Sequence, residues 1–282
     1  MLSKRITTIL PDLTFKESLE VSKLHSIAGI LSSNAPLILS RPFRNPHHSI
    51  SKSAFIGGGI IPKPGEISLS HLGVLFLDEI SEFKQDTLEL LRIPLEDKKI
   101  TINRLHTSLT YPANFMLIAS TNPCPCGYYG SNSKECTCSI EQISKYQHKI
   151  SGPLLDRIDM HVEIQPIKYN DLTSTRKSES SSSIKKRVNL ARNIQSQRYL
   201  LESIASNSEL TPALIDKYCS LDNESSLLLK DAFIKLNLSA RAHDRILKVA
   251  RTIADLDNSE NIKLNHLAEA IQYRSLDRKY WR

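Results

Sequence analysis

Apolar residues recur at helical spacing from Phe15 to Leu31, behind Thr14, whose hydroxyl suits an N-cap and which Glu17 follows three residues later. Two short apolar runs, Val74-Leu75-Phe76-Leu77 and Phe115-Met116-Leu117-Ile118-Ala119, have the length and bounding of buried parallel strands. Between them, Gln85 to Glu96 reads as a helix bent or ended near Pro94. Such alternation predicts an α/β layer structure. The pattern changes from Pro166, because Asp171 to Ser183 is rich in Ser, Thr and charge and poor in large apolar groups, as an exposed linker is. Beyond it Ile184 to Leu201, Thr211 to Tyr218, Glu224 to Leu236, Ala240 to Leu256 and Leu264 to Ser275 carry helical periodicity with almost no strand signal. The expected organisation is an α/β core over 1–166 with a cysteine-rich loop at 124–138, a linker over 167–183 and an all-helical domain over 184–282.

Composition adds little to this. Of 282 residues, 40% are hydrophobic and 24% charged, an ordinary globular balance. No run approaches the roughly 18 apolar residues of a membrane span, and Met1-Leu2-Ser3-Lys4-Arg5 leads into a stretch broken by Pro11 and Asp12 rather than into a signal peptide. A cytoplasmic protein without membrane contact is expected. The net charge of +7 is compatible with a polyanionic partner, yet it is too modest and dispersed to specify one. Four of the five cysteines fall between Cys124 and Cys138, which in a reducing compartment favours metal over disulfides.

The run Gly73-Val74-Leu75-Phe76-Leu77-Asp78-Glu79 is the most informative. A buried strand ending in adjacent carboxylates delivers two acids to the carboxyl edge of a sheet, where ligands of such sheets bind. This is the Walker B pattern: Asp78 would hold Mg²⁺ and Glu79 would polarise the attacking water for phosphoryl transfer. The second strand runs into Ser120-Thr121-Asn122, so Asn122 would stand beside those acids as a sensor of the γ-phosphate, or else simply form a turn. In Leu154-Leu155-Asp156-Arg157-Ile158-Asp159 an arginine lies between two acids. Arg157 is a candidate arginine finger for a neighbouring subunit's nucleotide, with a surface ion pair as the alternative.

With Arg41-Pro42-Phe43-Arg44-Asn45-Pro46-His47-His48, Gly57-Gly58-Gly59, Pro64-Gly65-Glu66-Ile67-Ser68-Leu69, Asn122-Pro123-Cys124-Pro125-Cys126-Gly127, Leu238-Ser239-Ala240-Arg241 and Ala250 to Leu256, these stretches resemble the magnesium-chelatase-like AAA+ proteins of the ComM type. The resemblance runs through nearly the whole chain. It implies an AAA+ parallel-sheet core followed by a helical lid, ATP and Mg²⁺ as cofactors, and Arg241 as a second sensor reaching the nucleotide. It further implies a homo-oligomeric ring acting on branched or single-stranded DNA in recombination and natural transformation. One part departs from the pattern. None of the nine glycines is followed by lysine, so no Gly-x-x-x-x-Gly-Lys-Ser/Thr phosphate loop occurs, and Met1 to Leu13 resembles the sequence directly after that motif. A late start, a split gene or a decaying remnant would each account for this, and little hydrolysis is expected from the chain alone. A metal-chelatase ATPase subunit and a nucleotide-incompetent fragment are the competing readings.

Cys124-x-Cys126 and Cys136-x-Cys138 are nine residues apart, with Gly127 and Gly130 to permit tight turns. Four thiolates can satisfy a closed tetrahedral Zn²⁺ site, against the alternative of plain thiols, and His148 is not expected to join them. Arg41 to His48 and Lys63 are candidates for DNA contact, the competing view being that Arg41 and Arg44 make structural or inter-subunit ion pairs and that His47 and His48 cap elements.

Overall fold

The computed structural model describes residues 2–32, 34, 36–104, 107–130, 134–164 and 178–274, which fall into two compact units, Met1–Arg157 and Ile158–Arg282. In the first unit Thr14 closes the expected N-terminus as a full capping box: Glu17 N–H donates to Thr14 Oγ1 at 3.2 Å, and Thr14 N–H donates to Glu17 Oε2 at 2.7 Å. The helix spans Phe15–Ala28 and stops short of Leu31, because Gly29 takes the left-handed conformation (φ 78°) that ends helices.

The sheet is parallel, with β1 (Phe43–Arg44) and β7 (Met116–Ala119) flanking the central β4 (Val74–Leu77). All four residues of β4 are buried. Gly73 makes this placement possible, since a Cβ there would lie 2.1 Å from the Pro42 carbonyl oxygen, which instead accepts the Val74 N–H at 2.8 Å. The second expected strand forms, but it is not fully buried: Met116 and Ala119 are exposed. Among the described residues β7 pairs on one side only, so its apolar run covers an edge rather than a centre.

The expected helix from Gln85 to Glu96 resolves into Gln85–Leu88, a 3₁₀ turn Glu89–Leu91 and Arg92–Asp97. Pro94 does not end it, because it sits in the first turn of the last piece, where its missing N–H has no intrahelical acceptor to serve. An antiparallel hairpin, β5 (Lys99–Arg104) and β6 (Thr107–Pro112), follows. It buries Ile100, Ile102 and Tyr111 on one face and leaves Thr101, Asn103, Ser108 and Thr110 exposed on the other. A short pair, β2 (Gly57–Gly58) and β3 (Lys63–Pro64), lies beneath it, and Tyr111 Oη donates to the Pro62 carbonyl at 2.7 Å.

The described part of the second unit is helical: Ser181–Arg198, Pro212–Tyr218, Asn223–Lys235, Ala240–Leu256 and Leu264–Gln272. The first helix begins three residues before the expected Ile184, because Ser180 Oγ accepts the Ser183 N–H and caps it. Most of the expected linker, residues 167–177, and Ser275 lie outside the described residues. Leu229, Ile246, Leu247, Ala250, Ala254 and Leu267 form the heart of this unit's core. Beside it Asp255, fully buried, accepts from Arg198 (2.5 and 3.0 Å), Asn207 Nδ2 (2.8 Å) and Arg251 Nε (3.2 Å). No helix of the described residues is long and apolar enough to cross a membrane.

Candidate functional site

Where β4 leaves the core, Asp78 and Glu79 emerge side by side and exposed. The parallel register pairs Leu77 with Ala119, so the next residue of each strand falls at the same edge. Ser120 uses that placement fully. Its hydroxyl donates to Asp78 Oδ1 at 2.5 Å and accepts the Glu79 N–H at 3.1 Å; its own N–H donates to the Leu77 carbonyl at 3.0 Å, and its carbonyl accepts the Ile80 N–H at 2.9 Å. Ser81 and Thr121 add a hydroxyl pair at 2.6 Å. The two strand ends are thereby locked together, with Asn122 exposed two residues beyond Ser120.

Glu79 itself is left-handed, at φ 52° and ψ 54°. For a residue with a Cβ this costs roughly 1–2 kcal/mol, and such strain collects where a side chain must be held in one direction for function. The turn is then taken up by the 3₁₀ helix Ile80–Glu82. The result is a pair of exposed acids beside the Ser120 hydroxyl, an oxygen donor set that fits a hard divalent cation.

The remaining expected residues belong to other elements. Arg157 is buried, held by Glu96 at 2.8 Å and by the Pro153 carbonyl at 2.7 Å, while its Nε is buried with no hydrogen-bond partner among the described residues. Arg241 is exposed in the first turn of Ala240–Leu256 in the second unit, behind the N-cap Ser239. A cation there opposes the helix dipole, so the position is not chosen for helix stability. Arg44 makes a bidentate pair with Glu66, both contacts at 2.6 Å, and Arg41 donates to the carbonyls of Pro11 (2.6 Å) and Leu72 (2.8 Å). Of the two readings of that basic segment, the geometry gives the structural one for both arginines.

The four clustered cysteines converge. Their sulfurs lie within 4.8 Å of one another, with 3.3 Å between Cys124 and Cys126, 3.5 Å between Cys126 and Cys136, and 3.7 Å between Cys124 and Cys136. The backbone N–H of Tyr128, with smaller help from that of Thr137 and from the neighbouring thiols, pulls the Cys126 thiol down to about 5. Cys219 is remote from the cluster in sequence and lies in the second unit, where burial pushes its thiol up to about 11.

A family model for magnesium chelatase, subunit ChlI, matches residues 1–172, and one for the C-terminal part of that subunit matches residues 178–274. The chain is 45% identical over 279 residues to the uncharacterized protein YifB of Escherichia coli (strain K12), a match covering 99% of the chain and 54% of that protein. It is 41% identical over 280 residues to the competence protein ComM of Haemophilus influenzae, covering 99% and 53%. The magnesium-chelatase subunit ChlI of Mesostigma viride is 26% identical over 110 residues, covering 39% and 24%. The chain thus spans about half the length of the YifB and ComM relatives it matches.

Proposed function

The chain belongs to the magnesium chelatase subunit ChlI family, as a ComM-type magnesium-chelatase-like protein, and on that premise we propose that it carries the water-activating half of an AAA+ ATPase that remodels DNA. The observation that carries this reading is the locked edge at which Ser120 ties down Asp78 and Glu79, with Asn122 exposed two residues further along. In it Asp78 holds Mg²⁺, which when bound neutralises phosphate charge. Glu79 accepts a hydrogen from the attacking water and aims it, and Asn122 orients that water or touches the γ-phosphate. Arg157, paired with Glu96 in the single chain, is assigned to a neighbouring subunit's nucleotide in a ring, and Arg241 to the nucleotide from the helical lid.

The 282 residues contain no Gly-Lys-Ser/Thr, so the phosphate-binding amides and lysine must come from elsewhere for turnover. DNA is favoured over a tetrapyrrole substrate because the match to a competence protein covers 99% of the chain, against 39% for a chelatase subunit. The four-cysteine cluster stands outside this reading.

Hydrolysis assays test it. The chain alone should fall far below the enzyme median of about 10 s⁻¹. Joined in frame to the segment of a ComM relative that carries a phosphate-binding loop, it should hydrolyse ATP, faster with branched or single-stranded DNA. A joined protein that hydrolyses ATP without responding to any DNA would remove the DNA assignment. One that folds yet neither binds nor hydrolyses Mg²⁺-ATP would remove the ATPase assignment.

A further inference from the structure

We propose that Cys124, Cys126, Cys136 and Cys138 form a closed Zn²⁺ site, and that its ion is the clasp holding the Asn122 segment in place. A tetrahedron of thiolates at a Zn–S distance of about 2.3 Å has sulfur–sulfur edges of about 3.8 Å. The three separations of 3.3, 3.5 and 3.7 Å, and the 4.8 Å limit on all four sulfurs, surround that value and lie well beyond a disulfide bond length of about 2.05 Å.

The backbone is shaped for the same purpose. Gly127 and Gly130 are left-handed (φ 82° and 74°), and the first lets Gly127 N–H close a turn on the Cys124 carbonyl at 3.0 Å. That turn brings Tyr129 N–H to Cys124 Sγ at 3.3 Å, a donor aimed at a sulfur that carries negative charge when it binds metal. Four soft ligands select Zn²⁺ over Mg²⁺ or Ca²⁺, and four protein ligands leave no open position for catalysis.

The described residues of the loop have no core of their own to hold it. No helix or strand occurs among the described residues between β7 and the helix Ile140–Gln147, and of the side chains from Pro123 to Ser139 that are described only Cys124 is buried. Tyr128, Tyr129, Lys134 and Glu135 are exposed. A stretch this long without a core of its own needs a covalent or metal tie.

The ion would connect two fixed points. On one side Ser120 is bonded to Leu77, Asp78, Glu79 and Ile80, and Cys124 follows four residues later. On the other, Cys138 directly precedes Ser139, the capping-box N-cap of Ile140–Gln147, a helix whose Gln147 Nε2 returns to the Pro123 carbonyl at 3.1 Å. Asn122 lies on the short span between Ser120 and the first ligand, so the ion limits where its amide can stand. The four cysteines are positioning residues for the nucleotide edge.

Two measurements on the full chain test the parts separately. Elemental analysis of reduced protein purified without chelator should give one Zn²⁺ per chain, and Cys136→Ser with Cys138→Ser should abolish it. A ratio near zero in folded, reduced protein would overturn the site. Hydrogen exchange with and without chelator tests the clasp: the Ile80 and Ser120 amides should exchange about tenfold faster once the metal is removed, while those of Ile100 to Ile102 and of Ala240–Leu256 keep their rates. Zinc bound at one per chain with unchanged exchange at Ile80 and Ser120, or acceleration spread equally over all these regions, would overturn the clasp while leaving the metal site standing.

Discussion

One hydroxyl, that of Ser120, serves both acids of the proposed nucleotide edge, and its loss should be felt there first. Ser120→Ala removes two hydrogen bonds at a half-buried position and should cost about 1–2 kcal/mol in urea unfolding, with Ser120→Thr recovering most of it. Its neighbours Asp78 and Glu79 were legible in the sequence because two carboxylates directly after four apolar residues mark the point where a buried strand meets solvent. The role of Ser120 was not, because a bond across 42 positions depends on strand register, which the sequence does not display. The same holds for Arg157, in the turn after Gly152–Leu155, whose partner Glu96 lies in the helix Arg92–Asp97.

Two buried histidines give the residue scale a pH signature. Burial holds both His25 and His71 below the ordinary imidazole value, outweighing the Val21 carbonyl bonded to the first and the Glu20 carboxylate beside the second. The unfolded chain therefore binds protons that the folded one refuses. The stability they contribute is complete above about pH 6.5 and is lost as the pH falls from there through the depressed folded values. The urea midpoint of the first unit should drop between about pH 7 and pH 5.5, and His71→Gln should flatten that drop.

At the scale of elements, periodicity located the helix after Thr14, the strand Val74–Leu77 and the helices of the second unit, since each has a one-sided apolar pattern or a capping signal, or in the case of the strand an unbroken apolar run. The hairpin Lys99–Pro112 was missed, although Ile100 and Ile102 on one strand and Leu109 and Tyr111 on the other alternate with polar residues as strands do. Its outward Thr, Asn and Ser residues read equally well as loop. The helix Ala240–Leu256 shows the converse. Its Arg251 and Asp255 belong to the pattern that marks the family, yet they act as structure, tying three elements to one buried carboxylate. Asp255→Ala leaves Arg198 and Arg251 facing an uncompensated site and should cost about 3–5 kcal/mol in the second unit's unfolding transition. A loss below about 0.5 kcal/mol would show that water replaces the carboxylate without penalty.

For the whole molecule, the edge that carries Asp78 and Glu79 belongs to the first unit and Arg241 to the second; the units divide after Arg157, nine residues before the change in residue pattern at Pro166. Assembly is a matter for solution measurement. If rings form and Arg157 acts on a neighbour, Arg157→Ala and Glu79→Gln in the loop-joined protein should each be inactive, while a mixture should recover part of the turnover through interfaces that pair intact copies of each. A mixture that stays inactive while mixed rings demonstrably form would leave Arg157 with its ion pair to Glu96 alone.

The most direct test of the central claim is hydrolysis and nucleotide binding measured together on the loop-joined protein and its Glu79→Gln variant. The account predicts that Mg²⁺-ATP binding persists while turnover falls by about 10² to 10⁴-fold, because the amide keeps the shape of the edge but cannot accept the water's proton. Turnover within a factor of about three of the unchanged protein, with binding intact, would contradict the assignment of Glu79 and with it the reading of this edge as the place where ATP is hydrolysed.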